Sequence, residues 1–370
     1  MDKITVTSPL LPPLEEVTPY LEDIWQRKWL TNSGYYHQQL EKELCKYLGV
    51  PYISLFSNGT LALIIALQSL ELKGEVITTP YTFAATAHAI KWNNLTPVFV
   101  DIDPNTFNLD PAKIEAAITE KTCAILPVHV YGMPCNDKLI SQIAAKHNLK
   151  VVYDAAHAFA NKENGQSILN YGDLSILSFH ATKAYSTIEG GAVVCKTLEE
   201  KTKLDKLKNF GFESETEISL CGMNAKLNEV QAAFGLASLP KVDESIRARA
   251  RVAKLYDKAF SKVAGIKILH RENNVELNHS YYPILVDQEK FGITRDKLLA
   301  KLQEKNIFAR RYFYPLITEF DLYKRYCGLT PVASDISKKV LCLPIHAELT
   351  LAEQEVVIST VLLSRRAEKK

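Results

Sequence analysis

The stretch that decides the fold reads Ser178-Phe179-His180-Ala181-Thr182-Lys183, and Glu189-Gly190-Gly191 follows shortly after it. A second stretch, Tyr153-Asp154-Ala155-Ala156-His157, lies upstream. Asp154 stands at the end of one short apolar run, and Lys183 stands just past the next. This order is typical of a pyridoxal phosphate (PLP) site, where a lysine bonds to the cofactor aldehyde and an aspartate pairs with the protonated pyridine nitrogen.

Short apolar runs recur on both sides of these stretches. Val, Ile and Leu dominate the runs without polar alternation, which is the pattern of strands buried on both faces. Helical patterns separate the runs, so we predict an α/β domain with a mostly parallel seven-stranded sheet. The predicted strands are Ile53–Phe56, Val76–Thr79, Val98–Val100, Ala124–Val128, Val151–Tyr153, Ser175–Phe179 and Ala192–Cys195, and the helices between them include Thr60–Leu70, Pro111–Ala117 and Leu139–His147.

Polar residues follow several of the predicted strands. Asn58-Gly59, Tyr81, His129, Asp154 and His180 all fall at or just after a strand end. Ligands of parallel sheets bind beyond the carboxyl ends of the strands. These positions therefore predict a single site at one edge of the sheet.

The pattern changes after Gly211, and we predict two domains. A large PLP-binding domain with an N-terminal arm covers residues 1–240, and a smaller C-terminal α+β domain covers residues 241–370. The elements expected after Gly211 are a helix Asn224–Leu239 that stops before Pro240, a charged helix Val242–Val263, a strand Tyr282–Val286 and a helix Arg295–Lys305.

The composition excludes several classes of partner. The formal net charge is only +2, so the chain has no global field for nucleic acid or a membrane surface. The seven cysteines form no CxxC pair, and their odd number argues against a complete disulfide framework. No apolar run is long enough to span a bilayer. The cytoplasm is therefore the expected location.

The turn Leu55-Phe56-Ser57-Asn58-Gly59-Thr60-Leu61 leads from a strand into a helix. Free N–H groups of Gly59, Thr60 and Leu61 could cradle the cofactor phosphate there, but taken alone the turn reads better as an ordinary helix N-cap. The joint occurrence of this turn with Asp154, Ser178 and Lys183 favours the PLP site. No G-x-G-x-x-G, P-loop or H-E-x-x-H motif is present, so nicotinamide, nucleoside triphosphate and zinc-peptidase chemistry lack support, and no metal is expected.

These motifs resemble the DegT/DnrJ/StrS family of PLP-dependent nucleotide-sugar aminotransferases. The resemblance runs from about Trp29-Leu30-Thr31-Asn32 to Leu343-Pro344-Ile345, nearly the whole chain. It rests on Asn58-Gly59-Thr60-Leu61-Ala62-Leu63, Pro80-Tyr81-Thr82-Phe83-Ala84-Ala85-Thr86, Pro127-Val128-His129-Val130-Tyr131-Gly132, Asp154-Ala155-Ala156-His157-Ala158, the Lys183 stretch, and Gly222-Met223-Asn224-Ala225-Lys226-Leu227-Asn228-Glu229 with the residues that follow.

The resemblance implies the fold, the cofactor and the reaction. The fold would be fold-type I, as in aspartate aminotransferase, and the protein would act as a homodimer with shared active sites. L-Glutamate would convert PLP to pyridoxamine phosphate, which would then aminate C4 of dTDP-4-keto-6-deoxyglucose. The product, dTDP-4-amino-4,6-dideoxyglucose, would serve deoxysugar and O-antigen synthesis. The cofactor-binding residues so implied are Gly59, Thr60, Phe83, Asp154, His157, Ser178, Lys183 and Asn224, with Lys183 catalytic, Phe83 covering the ring and Asn224 reaching the phosphate of the neighbouring subunit.

Two residues depart from the family pattern. His157 stands where many members have Gln; its imidazole can still donate to the 3-oxygen of the cofactor, but its charge is expected to depend on pH. Lys226 stands where Arg is common, which removes the bidentate geometry that suits a carboxylate.

Several further residues have two open interpretations. His129 and His346 could contact the sugar or be structural. Arg310, Arg311 and Tyr312 could approach the nucleotide phosphates, or belong to a strand with snorkelling arginines. The set Arg247, Arg249 and Arg251 is expected to form one solvated helix face.

Three rival functions remain open at this point. A dehydratase of the same fold would replace the lysine with another base, so Lys183 argues against it. A C3 aminotransferase acting on an isomeric keto sugar is compatible with every motif. A non-catalytic regulatory or binding protein on the same fold is disfavoured by the intact pair of Lys183 and Asp154.

Overall fold

The computed structural model describes residues 3–365 and contains a central seven-stranded sheet. All seven strands predicted for this sheet are confirmed, with bounds shifted by one to three residues. The strands of the whole chain, in order, are β1 (Ile4–Thr5), β2 (Tyr52–Phe56), β3 (Glu75–Thr78), β4 (Thr96–Phe99), β5 (Thr122–Ile125), β6 (Lys150–Asp154), β7 (Lys162–Glu163), β8 (Gln166–Ser167), β9 (Leu174–Ser178), β10 (Gly191–Cys195), β11 (Phe212–Ser214), β12 (Glu217–Ile218), β13 (Ile266–Ile268), β14 (Val275–Glu276), β15 (Tyr282–Val286), β16 (Ile307–Phe308) and β17 (Val340–Leu343).

The strand order in the central sheet is β2-β10-β9-β6-β5-β3-β4. Strand β10 pairs antiparallel with both of its neighbours, and the other pairings are parallel. The carboxyl ends of β2, β9, β6, β5 and β3 therefore meet at one edge of the sheet. The predicted α/β fold with a mostly parallel seven-stranded sheet is confirmed.

Helices cover the sheet because their apolar faces pack on strands that are buried on both sides. Among the predicted helices, Arg295–Lys305 is confirmed with its end at Glu304. The α-helices are α1 (Leu14–Arg27), α2 (Tyr35–Leu48), α3 (Gly59–Ser69), α4 (Ala84–Trp92), α5 (Asp137–His147), α6 (Leu198–Leu207), α7 (Glu229–Ser238), α8 (Val242–Phe260), α9 (Gln288–Phe291), α10 (Arg295–Glu304), α11 (Pro331–Lys339) and α12 (Leu351–Ser364).

Two helix predictions were wrong in detail. The predicted helix Pro111–Ala117 is two single 3₁₀ turns, Pro111–Lys113 and Glu115–Ala117, because its backbone hydrogen bonds span three residues, from the Ile114 N–H to the Pro111 carbonyl and from the Ala117 N–H to the Ile114 carbonyl. Helix α7 begins at Glu229 and not at Asn224, because the side chain of Asn228 accepts a hydrogen bond from the Gln231 N–H and caps the helix there.

The C-terminal part of the chain builds a second core. Strands β13, β15 and β17 form an antiparallel sheet that packs with α8, α10 and α12 around Tyr256, Tyr282 and Leu298. The N-terminal strand β1 pairs parallel with β16 and so joins this second core. The division at residues 240 and 241 stays a prediction.

The described part of the chain has no helix that is both long and apolar enough to cross a membrane. Within residues 3–365, no three His, Cys, Asp or Glu side chains are grouped so that they could hold a metal ion.

Candidate active site

Asp154 is the last residue of β6 and is buried. Its Oδ2 accepts a hydrogen bond from Thr86 Oγ1 at 2.7 Å, and its Oδ1 accepts one from the Ala156 N–H at 3.1 Å. Burial raises the pKa of this carboxyl, against the two hydrogen bonds and the positive charge of Lys183. No Lys, Arg or His among the described residues forms an ion pair with Asp154. The carboxylate therefore lies at the sheet edge without a cationic partner.

Lys183 follows β9 by five residues, so it lies beside the end of β6. Its Nζ donates a hydrogen bond to Tyr281 Oη at 3.2 Å. Burial lowers the pKa of Lys183 to about 8, although the charges of Asp154 and Tyr312 oppose the shift. About a tenth of the amine is therefore unprotonated and nucleophilic at pH 7, far more than for an ordinary lysine.

His157 is buried, and its imidazole touches aromatic rings on two sides. The ring centroid lies 4.5 Å from that of Tyr281 and 5.9 Å from that of Phe313. Its Nδ1 accepts a hydrogen bond from the Tyr131 N–H at 3.2 Å. Burial and the nearby Lys183 charge lower the pKa of His157 well below its ordinary value. The lowered pKa favours the neutral imidazole at pH 7, and the pH dependence of its charge stays a prediction.

The turn after β2 combines a helix cap with unused N–H groups. Asn58 Oδ1 accepts a hydrogen bond from the Leu61 N–H at 2.9 Å, so the Leu61 amide is not available to a ligand. The N–H groups of Gly59 and Thr60 have no acceptor among the described residues. A Cβ built at Gly59 would lie only 2.9 Å from Cβ of Ser178, so the turn packs directly on the end of β9.

Phe83 and Asn224 lie at the surface of the single chain. Phe83 precedes α4 and is 63% exposed. Asn224 is exposed and forms a backbone bridge with Asn209, while the next residue, Ala225, accepts a hydrogen bond from the Ser57 N–H at 2.8 Å. The chain at Asn224 therefore lies near the Gly59 turn in the fold, although the two segments are far apart in the sequence.

The two histidines considered for sugar binding differ in their surroundings. His129 is fully buried, stacks on Tyr153 with centroids 4.6 Å apart, and accepts a hydrogen bond from the Cys135 N–H at Nδ1. These are the contacts of a packed core side chain. His346 is also buried, and each ring has one buried nitrogen without a hydrogen-bond partner among the described residues, Nε2 of His129 and Nδ1 of His346.

Arg311 and Tyr312 are adjacent in the chain but lie in different surroundings. The Arg311 guanidinium is exposed, donates to Asp296 Oδ1 at 3.2 Å and lies 5.0 Å from the Tyr314 ring centroid. The Tyr312 carbonyl accepts hydrogen bonds from Tyr131 Oη and from Tyr81 Oη, the second at 3.0 Å. Tyr312 therefore belongs to the aromatic cluster beside Lys183, whereas Arg311 points to a surface ion pair.

Sequence reasoning assigned no role to two residues that contact this group. Thr86 was quoted within a motif, yet only the fold brings its hydroxyl to Asp154. Tyr281 immediately precedes the predicted strand Tyr282–Val286, and a tyrosine before a strand carries no signal of its proximity to Lys183. Both contacts join segments about 70 to 100 residues apart, a distance that no local pattern reports.

The residues present fit PLP. The Asp154 carboxylate is buried without a cation, and a protonated pyridine nitrogen would supply one. The Lys183 amine has a lowered pKa, as an aldehyde-binding lysine requires. The free N–H groups of Gly59 and Thr60 open a helix N-terminus, which attracts a phosphate.

Comparisons with known proteins agree with this geometry. The model of the DegT/DnrJ/EryC1/StrS aminotransferase family matches residues 14–362. The chain is 54% identical over 360 residues to the dTDP-4-amino-4,6-dideoxy-D-glucose transaminase of Shigella dysenteriae, covering 97% of this chain and 98% of that protein.

Two solved structures have nearly the same fold. DesI, studied in the presence of its TDP-sugar product, matches with a TM-score of 0.95 at 32% identity and covers 99% of this chain and 94% of its own. The PLP form of Spr1654 from Streptococcus pneumoniae matches with a TM-score of 0.90 at 26% identity and covers 98% of both chains. The chain therefore belongs to the DegT/DnrJ/EryC1/StrS aminotransferase family and is a PLP-dependent aminotransferase.

Proposed function

We propose that this aminotransferase converts dTDP-4-keto-6-deoxy-D-glucose to dTDP-4-amino-4,6-dideoxy-D-glucose, with L-glutamate as amino donor. The observation that carries the proposal is the 54% identity to the Shigella dysenteriae transaminase, which extends over nearly the full length of both chains. The arrangement of Asp154 and Lys183 supports it, because transamination requires both a base and a carboxylate at such a site.

The candidate residues divide the chemistry among them. PLP, when bound, would supply an electron sink for the carbanion that forms as the substrate loses a proton. Lys183 would attach the cofactor and, once displaced by an amino substrate, would accept and return the substrate proton at Nζ. Asp154 would keep the pyridine nitrogen protonated, and its burial strengthens that interaction.

Other side chains would hold and orient the cofactor. The N–H groups of Gly59 and Thr60, together with the Ser178 hydroxyl, would bind its phosphate. His157 accepts at Nδ1 from the Tyr131 N–H, so the proton of its neutral ring lies on Nε2 and could be donated to the 3-oxygen. Phe83 would cover one face of the ring.

We further propose a homodimer with shared active sites. Asn224 is an exposed amide beside the Gly59 turn, and Phe83 is a large exposed aromatic side chain. An exposed phenyl ring near a polar site is typical of a surface that a partner or ligand covers.

The seven cysteines are all free, which supports the cytoplasm as the location.

The proposal is tested by incubating purified protein with L-glutamate and a panel of nucleotide keto sugars, and identifying the products by NMR. We expect dTDP-4-amino-4,6-dideoxyglucose with an equatorial C4 amine and one equivalent of 2-oxoglutarate. Amination at C3, or turnover only of a sugar linked to another nucleotide, would contradict the substrate assignment. Absence of any bound cofactor chromophore would contradict the catalytic assignment.

A further inference from the structure

Arg249 is a buried arginine whose side chain forms no hydrogen bond or ion pair with the residues that the structure describes. It lies on α8 and is 2% exposed, although the sequence predicted a solvated helix face for it. Its neighbours on the helix, Arg247 and Arg251, are exposed as expected. The Nε and Nη1 atoms of Arg249 are buried and have no hydrogen-bond partner among residues 3–365. The prediction was wrong because α8 turns this one position of the set toward the interior.

No carboxylate of the described chain compensates this charge. Arg249 is absent from every ion pair within residues 3–365, and the groups whose charges interact with it are Tyr281, His279 and His346. A guanidinium stays protonated in proteins, and a buried cation without an anion or hydrogen bonds is strongly unfavourable. The missing anion must therefore come from outside the described part of the chain.

Arg249 lies near Tyr281 of the candidate active site, whose phenol interacts with the charge of Arg249. Tyr256, two turns further along the same face of α8, donates to the Pro344 carbonyl at 3.0 Å and packs on Tyr282 with centroids 5.0 Å apart. Tyr281 precedes Tyr282 in the chain, and His346 follows Pro344 by two residues. Tyr281 also accepts the hydrogen bond of Lys183 Nζ.

We propose that Arg249 binds the carboxylate of the amino donor. The inference rests on the proposed function, since it assigns a residue to the donor that this function uses. The α-carboxylate is one bond from the carbon whose amine reacts, so it must bind close to Lys183. The phosphates of a nucleotide sugar lie on the far side of the sugar ring, and they fit a position beside Tyr281 less well. A guanidinium also matches a carboxylate in bidentate geometry.

Lys226 does not take this role within its own chain. It occupies the position where the family commonly has arginine, but its Nζ donates to Asn209 Oδ1 at 2.8 Å and lies 4.8 Å from the Phe210 ring centroid. Arg249 has no such internal partner. Because its Nε and Nη1 are shielded from solvent, the proposal includes a side-chain movement of Tyr281 or His346 when the donor binds.

The test compares Arg249→Met with Arg247→Met, a matched loss of charge on the exposed face of the same helix. Binding of maleate, an unreactive dicarboxylate, is measured by calorimetry on the PLP-loaded protein. The two half-reactions are then measured separately in single turnovers, one with glutamate and the other with the amino sugar. We expect Arg249→Met to weaken maleate binding and the glutamate half-reaction about 100-fold, because it removes a charge-assisted bidentate contact.

The amino-sugar half-reaction of Arg249→Met should stay within about threefold of the wild type, and Arg247→Met should match the wild type in every measurement. Arg249→Lys keeps the positive charge but loses the bidentate geometry of the guanidinium, so its affinity for maleate should fall about tenfold. If the methionine variant does not fold, this variant tests whether Arg249 binds the carboxylate. Wild-type maleate affinity in either Arg249 variant, or an equal loss in both half-reactions with a lower Tm, would overturn the inference. A wild-type protein that binds maleate through Arg249 but aminates no keto sugar would contradict the proposed function alone.

Discussion

Buried charges occur in two regions of this protein, and the two regions treat them differently. Behind β2, the buried Lys208 ammonium lies 2.7 Å from Asp205, 3.0 Å from the Ser54 hydroxyl and 3.5 Å from Glu41. Lys201 completes this Lys208 cluster with contacts of 2.9 Å to Glu41 and 2.6 Å to Asp205. Burial alone would raise the pKa of Asp205, but the charges of Lys208 and Lys201 lower it.

At the edge of the sheet, the buried charges of the candidate site lack ion-pair partners among the described residues. Asp154 and Lys183 form no ion pair with a described residue, and burial shifts the pKa of each toward its neutral form. In the Lys208 cluster the chain supplies every counter-charge, so these charges belong to the scaffold. At the candidate site we expect ligands to supply the counter-charges, which leaves the site less stable without them but ready to bind.

The largest expected effect is that of Lys183→Ala on turnover. In the proposed mechanism the Lys183 amine attaches the cofactor and moves the substrate proton, so kcat of the variant should fall by about 10⁴-fold or more. The visible absorption of covalently attached cofactor should disappear as well. Steady-state kinetics and an absorbance spectrum of the purified variant measure both. Near-normal turnover without added amine would remove Lys183 from the mechanism.

Asp154→Asn should slow proton abstraction about 100-fold or more, because an amide cannot neutralise a protonated pyridine nitrogen in a buried site. Cofactor affinity should change less, since the phosphate contacts and Lys183 remain. Single-turnover kinetics with α-deuterated glutamate isolate the proton-transfer step. An unchanged rate for that step would show that Asp154 is not the partner of the pyridine nitrogen.

Lys208→Met tests the compensated region. Removing one partner of a buried ion cluster leaves Asp205 and Glu41 without their cation, which should cost about 3 kcal/mol in the free energy of unfolding. Turnover per folded molecule should be unchanged, because the Lys208 ammonium contacts Asp205, Ser54 and Glu41, none of which is a candidate site residue. Urea unfolding with a parallel activity assay measures both quantities. A large loss of turnover at full stability would refute the division between scaffold and site.

Asn224→Ala tests the shared site. If Asn224 reaches the phosphate of the neighbouring subunit, the variant should bind PLP about tenfold more weakly and should lose the stabilisation of the dimer by PLP. Ultracentrifugation with and without PLP provides the readout. Asn228→Ala is the matched control: it removes the cap of α7, so it should lower the Tm and leave the affinity for PLP unchanged. A wild-type monomer that binds PLP as tightly as the dimer would exclude a shared site.

The smallest expected effect is that of Lys183→Met on the stability of the PLP-free protein. This substitution should stabilise the fold, whereas Lys208→Met should destabilise it. Without ligands, the pKa of Lys183 is lowered from 10.5 to about 8, so between these values the folded state binds fewer protons than the unfolded state. Stability therefore rises with pH across that window, and the charge is unfavourable below it. At pH 7 the PLP-free variant should melt about 2 °C higher than the wild type, and its Tm should lose this pH dependence. A lower Tm in differential scanning calorimetry would show that the lysine is compensated after all.

The central sheet could be predicted from the sequence because its strands are buried on both faces. That environment forces runs of Val, Ile and Leu, such as Val151–Tyr153, and such runs are visible without any partner. Once the strands were predicted, their ends could be predicted too, and these ends gave the positions of Asp154 and Lys183 relative to the sheet. Helix bounds were less certain where two caps compete, since Asn224 and Asn228 are equally good N-cap residues in the sequence.

The sequence by itself determined the fold class, the cofactor and the candidate residues that follow the strands, because each depends on local pattern and order. Only the tertiary structure decided the electrostatic state of those residues. His157 is neutral, Arg249 is buried and Tyr281 contacts Lys183 because segments far apart in the chain exclude water from the same place. Burial depends on all the elements that pack around a side chain, and no single stretch of sequence contains that information.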